Sequence, residues 1–208
     1  MRRKSAETRE HVLDVAHELF YWNGIRAIGV DRVAAESGIG PTTLYRLFAS
    51  KDDLVAAYTE RAGDRYRQWF SEATADDGRH PRDRILAGFD ALAEQVRPEN
   101  CRGCPFLMVL SEFPDLNLPA SRAAVATKAW MRSRFGALVD DLAAVERVAN
   151  PVALADQLAL VMEGVYASVQ ALGDQGPAKQ ARALVALLLP GGGRGDEVGA
   201  GRRSAQAL

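Results

Sequence analysis

Cys101 and Cys104 stand in the run Cys101-Arg102-Gly103-Cys104-Pro105-Phe106, continued by Ser111-Glu112-Phe113-Pro114-Asp115. A Cys-x-x-Cys pair suits a dithiol–disulfide switch, and Arg102 can lower a neighbouring thiol's pKa and make it reactive. The same spacing supplies half of a zinc site, but zinc takes about four ligands. The chain has no second cysteine pair, and its three histidines are His11, His17 and His80. His11 and His17 lie far upstream, in a segment with another use, so no metal site is expected. The preferred reading is a tight turn whose cysteines pack as small apolar residues, the usual state of free cysteine; a redox-responsive switch is the alternative. With no glycine-rich phosphate loop and no convincing nucleophile–base pair, neither an enzyme nor a cofactor is expected. A redox enzyme built on the two thiols is the weaker rival.

A second constellation binds rather than reacts. Residues 30–51 read as two short helices joined by a glycine turn, the arrangement of a helix-turn-helix. Val30, Val33 and Ala34 form the inner face of the first helix, and Gly38 stops it. Gly40-Pro41 starts the second, since proline at the first helical position forfeits no helical hydrogen bond. Leu44 and Phe48 share a face and anchor it. Thr42, Thr43, Tyr45 and Arg46 make a polar outer face, free N–H groups at the helix start favour a phosphate, and Lys51 opens the next helix with an ammonium in reach of a DNA backbone. A small bundle with no DNA role would share this spacing.

The elements that must position these groups are helical. In Thr8–Tyr21, Val12, Leu13, Ala16, Leu19 and Phe20 recur at helical period, with Glu10, Asp14, His17 and Glu18 on the other face; Asn23-Gly24 ends the helix. Ser50 caps a connecting helix from about Lys51 to Ala73. Residues 74–81 are the clearest break. Helical segments follow near 82–97, 104–113, 119–146, 151–172 and 177–189, punctuated by Pro98, Pro114, Pro119, Pro151 and Pro177. No alternating run demands a sheet. The fold class is therefore all-α, about nine helices. The domains are a helix-turn-helix unit over 1–51, a larger helical domain over 52–190 with 52–73 as connecting helix, and a Gly- and Arg-rich tail over 191–208 expected to be disordered.

Composition agrees without deciding. A net charge of −1 does not indicate nucleic acid, but Arg2, Arg3, Lys4 and Arg9 face one acid, Glu7, over residues 2–9. A small basic module on a neutral or acidic domain gives this distribution. No apolar run reaches the length of a membrane span. The basic start precedes an amphipathic stretch rather than a secretory signal, and two cysteines suit a reducing compartment, so the expected location is cytoplasmic.

Thr8-Arg9, Ala16, Leu19-Phe20, Gly24, Val30, Val33-Ala34, Gly38-Ile39, Thr43-Leu44-Tyr45, Phe48, Ser50-Lys51 and Leu54 together resemble the N-terminal signature of the TetR family of bacterial transcriptional regulators, in register and without gaps over about a quarter of the chain. The resemblance implies an all-helical homodimer, mostly a repressor released from a palindromic operator by a small molecule. Its partners would be operator DNA, a second copy and a small-molecule effector, with no membrane. It implies phosphate contacts for Thr43, Tyr45 and Lys51, and base-facing positions for Pro41, Thr42 and Arg46. A bidentate Arg46–guanine contact contributes about 1–3 kcal/mol of discrimination; a phosphate contact would only position the protein. The chain departs from the family at Gly40 for a frequent Ser, Thr42 for Gly, Leu47 for His or Tyr, and Ile28-Gly29 for Thr-Ser. The cysteine run also looks like a motif of a subset of the family.

An effector pocket is expected among helices 82–172, with Phe89, Phe106, Met108, Trp130, Met162 and Tyr166 as the leading candidate walls, Trp69, Leu92, Phe113 and Phe135 as further ones, and Glu112, Glu163 and Gln170 as polar contacts. Apolar residues recur on more than one side of 152–172, and 184–189 is nearly continuous apolar, so something must bury them. Leu158, Val161, Val165, Ser168, Leu184 and Leu188 are the candidate dimer contacts, in the four-helix intersubunit bundle the family resemblance favours.

Overall fold

The computed structural model describes residues 2–97 and 99–191. The tail beyond Gly191, Pro98 and the basic side chains of Arg2, Arg3 and Lys4 lie outside the described residues. Among the described residues the regular structure is helical throughout: α1 (Arg2–Asn23), α2 (Val30–Glu36), α3 (Pro41–Leu47), α4 (Lys51–Ala73), α5 (Pro81–Gln95), α6 (Pro105–Glu112), α7 (Pro119–Ala143), α8 (Pro151–Leu172) and α9 (Ala181–Leu188). Two short 3-10 turns, Gly173–Gln175 and Pro177–Gln180, link the last two helices.

Local chemistry explains the boundaries. Proline occupies the first turn of α3, α5, α6, α7 and α8, where its missing N–H has no helical acceptor to lose. Ser50 caps α4 by accepting from Asp53 N, and Asn150 caps α8 by accepting from Ala153 N. Such caps are worth about 1 kcal/mol each.

The three N-terminal helices close around Val12, Ala16, Phe20, Ile28, Val33, Ala34, Leu44 and Phe48, all buried. The long α7 packs against α4, α5, α6 and α8. Between α4, α5 and α7 sit Phe70, Phe89 and Phe135, with Phe135 edge-on to Phe70 at 5.2 Å and stacked on Phe89 at 5.8 Å. The connecting helix α4 belongs to both cores, with Leu54, Val55 and Tyr58 near one end and Tyr66 and Phe70 near the other.

One expectation is corrected. The stretch Pro151–Gln175 has the length and mean hydropathy, 1.4, of a bilayer span. It carries Asp156 and Glu163, which pair with Arg132 and Lys128 of α7, and it buries Leu154, Leu158, Met162, Val165 and Val169. It is a core helix of the larger domain.

Candidate nucleic-acid interface and effector cavity

The turn between α2 and α3 is short because Gly38 adopts φ +66°, a left-handed conformation costly for other residues. The backbone N–H groups of Gly38 and Ile39 donate to the carbonyls of Ala35 and Ala34, both at 3.0 Å. Leu44 and Phe48 then hold α3 to the scaffold, and the Arg9 guanidinium lies 5.1 Å from the centre of the Phe48 ring. What is left outside is Pro41, Thr42, Tyr45 and Arg46, with Thr43 half-buried. Tyr45 keeps half its surface exposed, although it is a large aromatic. Lys51 is half-buried, and its Nζ donates to the Arg26 carbonyl at 3.3 Å. The six positions named from sequence thus lie on α3 and at the start of α4.

Two of the departures from family habit, Ile28 and Leu47, have a packing reason. Ile28 is buried in the small core, and Leu47 packs partly buried against it, so both serve as scaffold where hydroxyls or rings are usual. Gly29 and Gly40 stand at the N-caps of α2 and α3, and neither offers a side-chain cap.

A cavity of about 310 Å³ lies where α1 meets the larger domain. Its walls come from His17 and Tyr21 of α1; Ala62, Arg65, Tyr66 and Trp69 of α4; Gln95 at the end of α5; Asn100, Cys101 and Gly103 of the following loop; Pro105 and Phe106 of α6; and Tyr166 of α8. Burial sets much of the chemistry. It pushes the Tyr21, Tyr58, Tyr66 and Tyr166 hydroxyls above the usual phenol range, so they act as neutral donors. Burial also lowers the His17 pKa, favouring neutral imidazole. The imidazole stacks on Tyr21 at 5.6 Å.

The sequence-named pocket residues divide. Phe106 and Tyr166 line the cavity. Met162 sits behind it, accepting the Tyr66 hydroxyl at 2.8 Å, and Trp130 packs edge-on against Tyr66 at 6.4 Å. Phe89 is enclosed against Phe135, and Met108 is half-buried on α6; neither borders this space. The polar residues proposed alongside them are engaged elsewhere: Glu163 with Lys128, Glu112 with the loop after α1, and Gln170 against Gly103. Sequence reasoning named Trp69 of α4, which lines the cavity, and missed the α1 wall and the other α4 residues. It placed His17 on the outer face of the first helix, whereas the fold half-buries it. The His17–Tyr21 spacing of four, which aligns both rings on one helix face, was the available signal.

Both cysteines are free and buried. Cys101 Sγ accepts from Gly103 N at 3.4 Å and faces the Tyr21 hydroxyl at 3.6 Å. Tyr21 donates to the Gly103 carbonyl at 2.9 Å and accepts from Arg102 N at 2.8 Å. The Arg102 guanidinium is held by the Trp22 carbonyl. Gly103 has φ +126°, and a Cβ there would run into Gln170. The run is a tight turn, as the sequence predicted, and it is stitched to α1. Among the described residues no group of three or more potential metal ligands comes together.

The candidate dimer residues also divide. Leu158 and Val165 are buried in the subunit's own core. Val161, Ser168 and Leu184 border an apolar groove between α8 and α9, and Leu188 is half-buried. The most exposed apolar side chains on these helices are Leu160 and Leu187, at 71% and 74%. Helical period explains the division: more than one side of α8 is apolar, packing against α7 makes one of them internal, and Val165 touches both the core and the groove.

A helical bundle that projects a short polar helix from a glycine turn, ahead of a larger helical domain, defines a helix-turn-helix transcriptional regulator. A family model for bacterial regulatory proteins of the tetR family matches residues 12–58, and one for a tetracyclin repressor-like C-terminal domain matches residues 81–185. The chain belongs to the TetR family. It is 37% identical over 76 residues to the HTH-type transcriptional regulator SAUSA300_2515 of Staphylococcus aureus, a match spanning 36% of this chain and 41% of that relative. The TetR-family regulator SCO4454 of Streptomyces coelicolor aligns over 90% of this chain and 94% of its own, with TM-score 0.76 and 27% identity. The reduced form of Escherichia coli NemR shares the fold, with TM-score 0.77 and 21% identity over 86% of this chain and 95% of its own.

Proposed function

We propose that the chain is a cytoplasmic, homodimeric repressor that binds a palindromic operator and is released by a small molecule filling the cavity behind α1. Its work is binding, not catalysis. The observation that carries the reading is the shared cavity wall: His17 and Tyr21 come from the DNA-binding unit, and Tyr66 and Trp69 from the connecting helix. A ligand that prefers one α1–α4 arrangement shifts the population of the whole molecule toward it. We assign the DNA-binding unit to 1–51 and the effector and dimerisation domain to 52–190. Within the first, Thr43, Tyr45 and Lys51 hold phosphates, and Pro41, Thr42 and Arg46 face bases. Support for dimerisation comes from Leu160 and Leu184, exposed along one apolar α8–α9 groove, and from Leu187, the most exposed leucine of α9. The two-fold axis of such a dimer would set the half-site spacing.

Selection of bound duplexes from a randomised pool tests this directly. The expected product is an inverted repeat bound by one dimer. Recovery of single, unpaired half-sites would refute the dimeric reading.

A second reading has one observation in its favour: Cys101 borders the same cavity and Cys104 lies three residues on. We assign the run to the cysteine-bearing subset of the family and regard a redox input as the alternative signal. Operator binding that peroxide leaves unchanged removes it.

A further inference from the structure

Resting on the effector reading of the cavity, we propose that it takes a planar aromatic carboxylate. The first part of the argument is shape. Tyr66, Trp69, Phe106 and Tyr166 come from three different helices and line one space of about 310 Å³, which is at the small end for ligand sites. Ring faces and edges at such density favour a flat aromatic guest over a flexible chain.

The second part is polarity. No aspartate or glutamate lines the cavity, whereas Arg65 does. The Arg65 guanidinium gives Nη2 to Asp14 at 2.9 Å on the outer side, which fixes the side chain along the cavity mouth. Gln95 is oriented as well. Its Oε1 accepts the Tyr166 hydroxyl at 3.0 Å, which leaves the amide N–H2 as the end able to serve a guest. The Tyr21 hydroxyl proton is already committed to the Gly103 carbonyl. The wall therefore offers donors from Arg65 and Gln95, side chains of His17 and Asn100 that can donate or accept, and one fixed positive charge, that of Arg65, whose partner Asp14 stands outside the lining. An acceptor-only, negatively charged group complements that set, because it can take donors from Arg65 and Gln95 together, whereas an ammonium finds no carboxylate in the wall to pair with. Planar forks of guanidinium match carboxylates in particular.

Calorimetric titration of the full-length protein with three naphthalenes of one shape tests the assignment: 2-naphthoate, 2-naphthamide and 2-naphthylmethylammonium. Naphthoate should bind about tenfold tighter than the amide, the difference a charge-assisted hydrogen bond makes, and the ammonium should give no heat. Arg65→Gln should bring naphthoate down to the amide's affinity and leave the amide unchanged, whereas Arg65→Lys should keep part of the preference. Phe106→Ala should weaken naphthoate and amide alike. Arg65 is half-exposed, and an unchanged circular dichroism spectrum establishes that its variants fold. An amide that binds as tightly as the acid, or a preference that survives Arg65→Gln, overturns the carboxylate assignment while leaving the effector cavity standing. Absence of heat from all three probes overturns both.

Discussion

Glu112 and Arg26 clasp each other across the junction of the two domains. The Glu112 carboxylate accepts Arg26 N at 2.6 Å and Ile25 N at 2.9 Å, and Arg26 Nε donates back to the Glu112 carbonyl at 2.7 Å. The Arg26 guanidinium also lies 5.2 Å from the Phe113 ring centre, and the Arg26 carbonyl holds Lys51. The C-terminal end of α6 is thereby tied to the loop that leads into the helix-turn-helix. The N-terminal end of α6 borders the cavity through Pro105 and Phe106. One short helix thus links the cavity wall to the loop between α1 and α2.

We expect Glu112→Ala to destabilise the fold by about 1–3 kcal/mol, because two backbone donors lose a charged acceptor. Glu112→Gln, which keeps one carbonyl acceptor, should lose less. Chemical denaturation of the three proteins measures this. Equal stability of wild type and Glu112→Ala would show that water replaces the clasp at no cost.

The exposed face of α3 separates two roles. Tyr45→Phe is expected to weaken binding to operator and random duplex by the same factor. Arg46→Ala should cost about 1–3 kcal/mol on operator only, and relax preference at one base pair per half-site. Lys51→Ala should lower the slope of log affinity against log salt by about one. Fluorescence anisotropy on both duplexes at several salt concentrations reads all three. Equal losses on both duplexes for Arg46→Ala would make Arg46 a phosphate contact.

Leu160→Glu with Leu187→Glu should yield monomers at micromolar concentration in sedimentation velocity runs, since each leucine contributes about 1.5–3 kcal/mol when buried by a partner. Leu158→Ala should instead lower stability by about 2–5 kcal/mol through a cavity in the subunit core. A double variant that remains dimeric would move the interface to another face.

His17 gives the protein a pH dependence with a definite sign. Its folded pKa is depressed by burial, while the unfolded side chain titrates near 6.5. Between those values the unfolded chain binds the extra proton, so stability present above about pH 6.5 falls as pH drops through the folded pKa. His17→Gln should flatten this part of the stability–pH curve, as measured by thermal unfolding from pH 7.5 downward. A curve unchanged by the substitution assigns the dependence to other groups.

Much of this protein was legible in its residue order. Proline and glycine punctuation, with helical periodicity, located the nine α-helices among the described residues, because those signals act over a single turn of chain; α1 starts six residues before Thr8, and the segment read as a helix over 177–189 opens as a 3-10 turn, with α9 starting at Ala181. The helix-turn-helix was legible for the same reason: Gly38, Pro41, Leu44 and Phe48 fix it within a dozen residues. The cavity was not. Its walls come from residues as far apart as His17 and Tyr166, and nothing local marks an aromatic as lining a space rather than filling one. Phe89 and Phe106 look alike in sequence, and only the packing of Phe135 against the first separates them. Likewise Leu158 and Leu160 are both apolar on α8, and only the position of α7 decides that one is core and the other is left facing outward. Local sequence determined the helices and the exposed polar face of α3. Tertiary packing decided which apolar side chains bound a cavity, which form the core and which are left exposed, because each of those outcomes depends on neighbours far away in the chain.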